Sequence, residues 1–410
     1  MKRLLRAVAS AAQSKVLFEA SDGPITAGRI RNTAAQIAPL LSGARRVYLH
    51  TGSASLFVAG LLAAAQKNLA VYCPAHLQLE YLREIEADRH VLLTDQGQFS
   101  ASIDLVLSND ESAATSITGE LDLFFYTSGV TGKPKLVRKN IEQLDAEAAV
   151  LEELWPTGAR HVFATVSHQH IYGMLFRIFW PVLSGGVSSD KLAEYWEQLE
   201  LKLSPGSTLV TGPAHLTRIP AAVNLADRSP RLIFSSGAPL ALAAAQAVRD
   251  RFGSLPIEVL GSTETGGIAW RRQESEDALW YPFPGVHTAS DRDGCLIVRS
   301  PFADPAEPVL TGDTSEHFGA QFRLKGRSDR VAKINGKRVS LVRVEEEMLR
   351  HPFVESAAAV DLPERKGALG AVVQLNAAGL AALAQIGAFR LSREMRRALA
   401  ARLEPSERPK

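Results

Sequence analysis

Short apolar runs alternating with helical stretches set the strongest limit on what this chain can fold into. Residues 47–50, 70–74 and 91–94 read as short buried strands, and residues 55–65 and 77–87 as the helices between them. Strands separated by helices at this spacing return to one sheet in the same direction, which makes parallel βαβ units. The pattern resumes with strands expected at 162–166, 208–212, 232–235 and 257–260. A turn at Asp22 to Thr26 precedes a helix reaching about Leu41, with Thr26 as its cap. A chain of 410 residues has room for about two or three domains. Its 46% apolar content is enough for a large core.

One strand carries the first chemical signal. Residues 121–126 read as buried, and the run ends in Thr127 and Ser128, followed by Gly129, Val130, Thr131, Gly132, Lys133, Pro134 and Lys135. Glycines let backbone N–H groups close around a phosphate chain, hydroxyls add donors and lysines add charge. The spacing is not that of a Walker A loop, which has four residues between its glycines and a hydroxyl residue after the lysine. A surface turn rich in small polar residues is the plain alternative; strand, hydroxyls, glycines and paired lysines together favour phosphate.

Other strand ends carry related signals. After 257–260 come Gly261, Ser262, Thr263, Glu264, Thr265, Gly266 and Gly267. A carboxylate beside hydroxyls suits Mg²⁺ shared with phosphate oxygens, although Thr-Glu alone is equally a helix cap. After 232–235 come Ser236, Gly237, Ala238, Pro239 and Leu240, small enough for the backbone to approach a flat ligand, or simply a link into the next helix. The segment Ser167-His168-Gln169-His170-Ile171-Tyr172-Gly173 invites a metal reading, but no third ligand of the right type lies nearby, and hydrogen-bonded histidines in a strand-to-helix turn are the default.

Toward the C-terminus, Asn335-Gly336 between apolar stretches signals a hairpin, and Ser340 can cap an acidic helix over 341–349. Strands at 354–362 and 368–375 and helices at 380–386 and 391–403 make a small α+β domain. The arginines of the last helix (Arg393, Arg396, Arg397, Arg402) read as a solvated basic face, with an acidic carrier protein as the sharper alternative.

Composition narrows the class further. A formal charge of +2 gives no global attraction to nucleic acid or to a membrane. Two cysteines suit a reducing compartment. Arg6 and Lys15 interrupt the N-terminal segment, so a signal peptide is not expected, and no apolar run reaches the ~18 residues of a membrane span. A cytoplasmic protein without nucleic-acid or membrane partners is the expectation.

The motifs, taken in order, resemble the adenylate-forming superfamily of acyl-CoA and aryl-CoA synthetases, luciferases and peptide-synthetase adenylation domains. Tyr126 to Leu136 is similar to the family loop YTSGTTGKPKG, with Val130 and Leu136 as departures. Ser236–Leu240 resembles SGGAPL, Gly261–Glu264 resembles YGxTE with Leu260 replacing the aromatic, and Thr311-Gly312-Asp313 resembles the family TGD. Gly326-Arg327-Ser328-Asp329-Arg330 and the residues after it resemble GRxDDxIKxxGxR.

The resemblance implies an α/β fold. It comprises a large N-terminal domain of βαβ units with mixed sheets (1–326) and a small mobile α+β C-terminal domain (327–410) turning about Asp329. It implies ATP/AMP and Mg²⁺ as ligands. Thr127, Ser128, Gly129, Thr131, Gly132 and Lys133 would hold phosphates. Ser236, Gly237, Ala238, Pro239, Leu260, Gly261, Ser262 and Thr263 would line adenine and the α-phosphate. Asp313 and Arg327 would hold ribose, and Glu264 the metal. Thr127, Lys133, Thr263 and Glu264 would act in catalysis, and His170, Tyr172, Gly173, Gly237 and Gly266 would line the acid pocket.

The implied reaction activates a small carboxylic acid as its adenylate. The acyl group then passes to the thiol of CoA or of acyl-carrier-protein phosphopantetheine. The wording of the motifs looks most like the compact synthetases of bacterial aryl-polyene and xanthomonadin-type pathways, which implies an aryl or hydroxyaryl acid. The family continues to a segment like PxTxxGKxxR. This sequence stops at Arg408-Pro409-Lys410, so the small domain is expected to lack its last segment. A non-catalytic nucleotide or acyl-adenylate binding protein, or a ligase with an amine acceptor, are the alternatives.

Overall fold

In the computed structural model, described for residues 3–87, 90–97, 102–111, 121–128, 134–156, 160–223, 225–304, 306–327, 330–334, 337–362 and 368–409, the alternation seen in the sequence becomes two large mixed sheets. One has six strands in the order 102–104, 91–94, 47–50, 71–73, 122–128 and 134–140. All its pairs are parallel except the last hairpin, Asp122–Ser128 against Pro134–Asn140. Between its strands runs the helix Ala54–Gln66, of which every residue from Ala54 to Ala65 is buried. A helix apolar all round belongs in a core, so this one packs without a solvent face.

The other sheet has nine strands, with a parallel centre of His161–Ala164, Thr208–Thr211, Leu232–Ser235 and Ile257–Ser262. Parallel strands covered on both faces lose the polar alternation of an exposed strand. Thr208–Thr211 and Leu232–Ser235 are accordingly buried at every position. Gly266–Arg272 closes this part of the sheet by pairing antiparallel with Ile257–Ser262. Trp155, Phe176, Trp180 and Phe234 form a connected aromatic cluster under the sheet, with Trp155 and Phe234 4.8 Å apart edge to face.

Contacts group the chain into two compact units, residues 1–288 with 298–309, and residues 289–297 with 310–410. The hairpin Val309–Phe318 and Gln321–Arg327, in which Asp313 faces Arg327, lies in the second unit from residue 310 onward. That unit also contains the hairpin Val331–Ile334 and Lys337–Ser340, whose Asn-Gly turn lies outside the described residues. Ser340 caps the helix Leu341–Leu349 by accepting from the Arg343 N–H at 3.3 Å. Val354–Leu362 pairs with Ala368–Leu375. The helical run Ala377–Ala400 is broken at Gly387, whose φ of 77° only glycine adopts without strain. That break falls between the two helices expected there.

Candidate active site

Parallel strands deliver their following loops to one edge of a sheet, and such edges are where α/β proteins bind ligands. His161–Ala164, Thr208–Thr211, Leu232–Ser235 and Ile257–Ser262 are followed, respectively, by the His168–Gly173 segment, Gly212, Ser236–Leu240 and the turn carrying Glu264. Hydrogen bonds tie these loops together. Thr165 and Thr211 share a hydroxyl contact of 2.7 Å. Tyr172 donates to the Thr211 carbonyl at 3.2 Å, and Ser236 to the Val259 carbonyl at 2.7 Å.

The Glu264 turn is locked by its own hydroxyls. Ser262 and Thr265 contact each other at 3.0 Å and each accepts from the other's N–H at 3.2 Å. Thr265 is fully buried, while Thr263 and Glu264 are half-buried. Lys135 donates to the Glu264 carboxylate at 3.3 Å. Glu264 is thereby brought next to the strand leaving the expected phosphate loop, 129 residues away in sequence. Thr127 lies opposite Lys135 in the hairpin and donates weakly to its carbonyl at 3.5 Å. Gly129, Thr131, Gly132 and Lys133 lie outside the described residues, as does Asp329; of Ser128 only the strand position is described.

The donor set bears on the expected Mg²⁺. Among the described residues no group of three or more His, Cys, Asp or Glu could hold a metal. Glu264 offers one half-exposed carboxylate beside a lysine. Mg²⁺ commonly binds through one or two carboxylates with the remaining positions filled by phosphate oxygens and water. Glu264 fits an ion that arrives with a nucleotide, and does not fit a stand-alone metal centre.

Around the expected acid pocket the histidines differ. His168 is buried, and Arg177 donates to its Nδ1 at 2.8 Å. With Nδ1 accepting, Nε2 carries the proton and faces the Thr51 hydroxyl at 3.3 Å. Burial first, then the Arg177 charge, hold its pKa well below the ordinary histidine value. His168 is therefore a neutral structural group, already committed to two partners. His170, in contrast, is exposed at the start of the helix Ile171–Met174, although desolvation of its ring lowers its pKa. Burial pushes the Tyr172 hydroxyl well above the usual phenol value, so it remains a donor. Gly173 is packed against backbone: a Cβ there would sit 2.1 Å from the Ser167 carbonyl oxygen.

The Ser236–Leu240 segment is set from behind. Glu258, which is buried, accepts from Arg271 through both oxygens at 2.9 and 3.3 Å and from the Leu240 N–H at 3.3 Å. Gly237 has φ of +91°, and Ala238 and Pro239 are exposed. Leu260 is half-buried and Gly261 exposed at the strand's end, and Gly266 is buried against Phe302. In the second unit Arg327 donates to Asp313 at 3.4 Å, so the two expected ribose residues are neighbours.

Two buried groups near Glu264 carry no motif. Lys139 donates to the carbonyls of Glu264 and Phe302, and desolvation lowers its pKa below the usual lysine value. Glu147 accepts from the Gly267 N–H at 2.7 Å, and desolvation raises its pKa to about 7. A lysine on a strand and a glutamate on a helix look like surface residues in sequence. Only the alternation of Pro134–Asn140, with Val137 and Lys139 on its buried face, hints otherwise.

A family model described as AMP-binding enzyme matches residues 28–289. The 4-coumarate–CoA ligase of Rhodobacter capsulatus is 29% identical over 261 residues, covering 62% of this chain and 64% of that protein. The anthranilate–CoA ligase of Pseudomonas aeruginosa is 28% identical over 277 residues, covering 57% of this chain and 52% of that protein. These matches span about half to two thirds of the length of the curated relatives. ATP-bound MatB from Rhodopseudomonas palustris superposes with a TM-score of 0.79 at 17% identity, covering 100% of this chain and 94% of MatB. At that identity the superposition establishes the fold.

Proposed function

The chain belongs to the AMP-binding enzyme family of the adenylate-forming superfamily, and from that premise we propose that it activates a carboxylic acid with ATP and transfers the acyl group to a thiol. The observation that carries this reading is the 3.3 Å contact between Lys135 and Glu264, which joins the strand after the phosphate loop to the Thr263–Glu264 turn. A phosphate-binding strand beside a carboxylate suits a nucleotide that arrives with its Mg²⁺.

The chemistry follows. A carboxylate oxygen attacks the α-phosphorus of ATP, and the bond to pyrophosphate breaks. Both partners are negative, so the site's task is positioning and charge compensation. In this reading Lys133, Lys135 and the backbone of the Thr127–Lys135 loop hold the departing pyrophosphate, and Thr263 donates to the α-phosphate. Glu264 would hold Mg²⁺, which when bound supplies positive charge to the phosphate oxygens. Asp313, an acceptor-only carboxylate, would take the ribose hydroxyls, with Arg327 beside it, and Ser236–Pro239 and Leu260–Ser262 would pack along adenine. The thiol of CoA, or of a carrier-protein phosphopantetheine, then attacks the acyl carbon, loses its proton and releases AMP. We place the rotation between the two steps at Asp329, which puts the functional boundary at Arg327, inside the second compact unit.

An aryl or hydroxyaryl acid is the proposed substrate. It is supported by the names of the 4-coumarate and anthranilate ligases, and by the apolar frame of Tyr172 and Phe176, whose rings lie 4.9 Å apart beside His170 and Gly173. The finer assignment to aryl-polyene or xanthomonadin-type synthetases rests on the wording of Val166–Gly173, Ser235–Leu240 and Gly261–Gly267. Consumption of ATP and CoA suits the cytoplasm, and among the described residues no helix is long and apolar enough to cross a membrane. The test is Mg²⁺-dependent pyrophosphate release with hydroxylamine as trap, across benzoates, hydroxybenzoates, cinnamates, fatty acids and amino acids. Turnover with an aryl acid is expected. Release confined to amino acids would overturn the substrate class, and ATP binding without release for any acid would overturn the enzymatic reading.

A further inference from the structure

Lys139 and Glu147 are costly to bury, and neither belongs to any of the nucleotide motifs. Lys139 is 1% exposed and Glu147 3%. A buried charge is tolerated where hydrogen bonds satisfy it, and an apolar pair of the same volume commonly folds as well or better. What these two side chains hold is therefore informative. The Lys139 ammonium donates to the Glu264 carbonyl at 2.9 Å and to the Phe302 carbonyl at 2.6 Å. The Glu147 carboxylate accepts from the Gly267 N–H at 2.7 Å through one oxygen, while its other oxygen is buried without a hydrogen bond. One group grips the start of the turn and the other its end. The fit is tight: a Cβ on Gly266 would come within 2.7 Å of Glu147 Oε2, and one on Gly267 within 2.9 Å of Oε1.

Magnitudes separate this grip from the contact made by Lys135. Lys135 is largely exposed, and an exposed pair contributes little and weakens in salt. It cannot fix the direction of the Glu264 carboxylate by itself. The buried contacts act on the backbone that carries that carboxylate, and they come from the strand and helix that follow the phosphate loop. We propose that Lys139 and Glu147 are positioning residues that clamp the Glu264–Gly267 turn and so aim Glu264 at the metal. This rests on the adenylation reading of Glu264.

The experiment titrates Mg²⁺ at fixed concentration of a fluorescent ATP analogue. It follows binding and, in parallel, the thermal shift of the ligand-free and loaded protein, in wild type, Lys139→Met, Glu147→Gln and Glu264→Gln. Partners outside the ligand sphere commonly change metal affinity by roughly 10–100-fold. Lys139→Met is expected to raise the Mg²⁺ midpoint by that factor with metal-free nucleotide binding kept, and Glu147→Gln to shift it the same way. A wild-type midpoint in Lys139→Met, with Glu264→Gln shifted, overturns the proposal and leaves the adenylation reading standing. Should Lys139→Met not fold, an unshifted midpoint in Glu147→Gln overturns it. An unshifted Glu264→Gln removes the metal role of Glu264 and the proposal with it.

Discussion

Replacing Gly173 by alanine is the sharpest perturbation of the proposed acid pocket. The new Cβ would lie 2.1 Å from the Ser167 carbonyl oxygen, 2.6 Å from its carbon and 3.1 Å from the His168 nitrogen. A Cβ needs about 3.0 Å, so the segment must move by about 0.9 Å. The three nearest atoms are all backbone, so no flexible side-chain end yields there. Overpacking of this kind costs about 1–3 kcal/mol in stability. The kinetic effect is of the same size, because a displacement near 1 Å can cost about a hundredfold, or about 2.7 kcal/mol, when it moves a group that orients a reactant. His170 and Tyr172 are the groups displaced. The expected result for Gly173→Ala is therefore kcat/KM for the acid lowered roughly hundredfold, with KM for ATP close to wild type. Steady-state pyrophosphate release with each substrate varied in turn measures both, and urea denaturation measures the stability. Wild-type kcat/KM for the acid in a folded variant would refute the assignment of this segment to the pocket.

The stability that depends on His50 and His168 should fall as pH drops below 6.5, the ordinary histidine value, partly offset by Glu147, whose raised folded-state pKa makes the folded chain take up a proton in the same range. His50 and His168 both have lowered pKa values from desolvation, so the unfolded chain takes up protons there while the folded chain does not. Each contributes a slope of up to about 1.4 kcal/mol per pH unit below 6.5, and His168→Asn should flatten the curve measured by urea melts between pH 6.5 and 5. Arg271→Met leaves the buried Glu258 without its cation, and chemical denaturation should show a loss of about 3–5 kcal/mol; a loss under about 1 kcal/mol would show that Leu240 and solvent satisfy Glu258 alone. Asp313→Ala should raise KM for ATP with kcat less affected, and an unchanged KM would remove the ribose assignment.

Local signals were legible where one residue type decides the structure. The strand 232–235, the capped helix Leu341–Leu349 and both strands of the hairpin Val354–Leu362 and Ala368–Leu375 fall where the sequence puts them. The helix Ile141–Leu154 has its start fixed by the Asn140–Gln143 capping box. The antiparallel strand Gly266–Arg272 was not legible, since glycines at its start break any apolar period; it exists because Ile257–Ser262 offers it an edge. The π-turn at Leu175–Phe179 is equally silent in sequence, since an inserted residue leaves the apolar run unchanged. At the candidate site, hydroxyls, glycines and Glu264 are singled out in the sequence by residue type alone. Lys139, Glu147 and Arg177 did not, because their importance comes from what they meet across the fold.

The order in which the chain is made has a cost here. Residues 289–297 belong to the second unit, yet residues 298–309 return to the first and bring the Phe302 carbonyl that completes the bonding of Lys139. Nascent domains commonly fold one after another as they leave the ribosome. This chain cannot finish its first unit before part of its second has emerged. Until residue 302 is out, Lys139 cannot make its hydrogen bond to the Phe302 carbonyl.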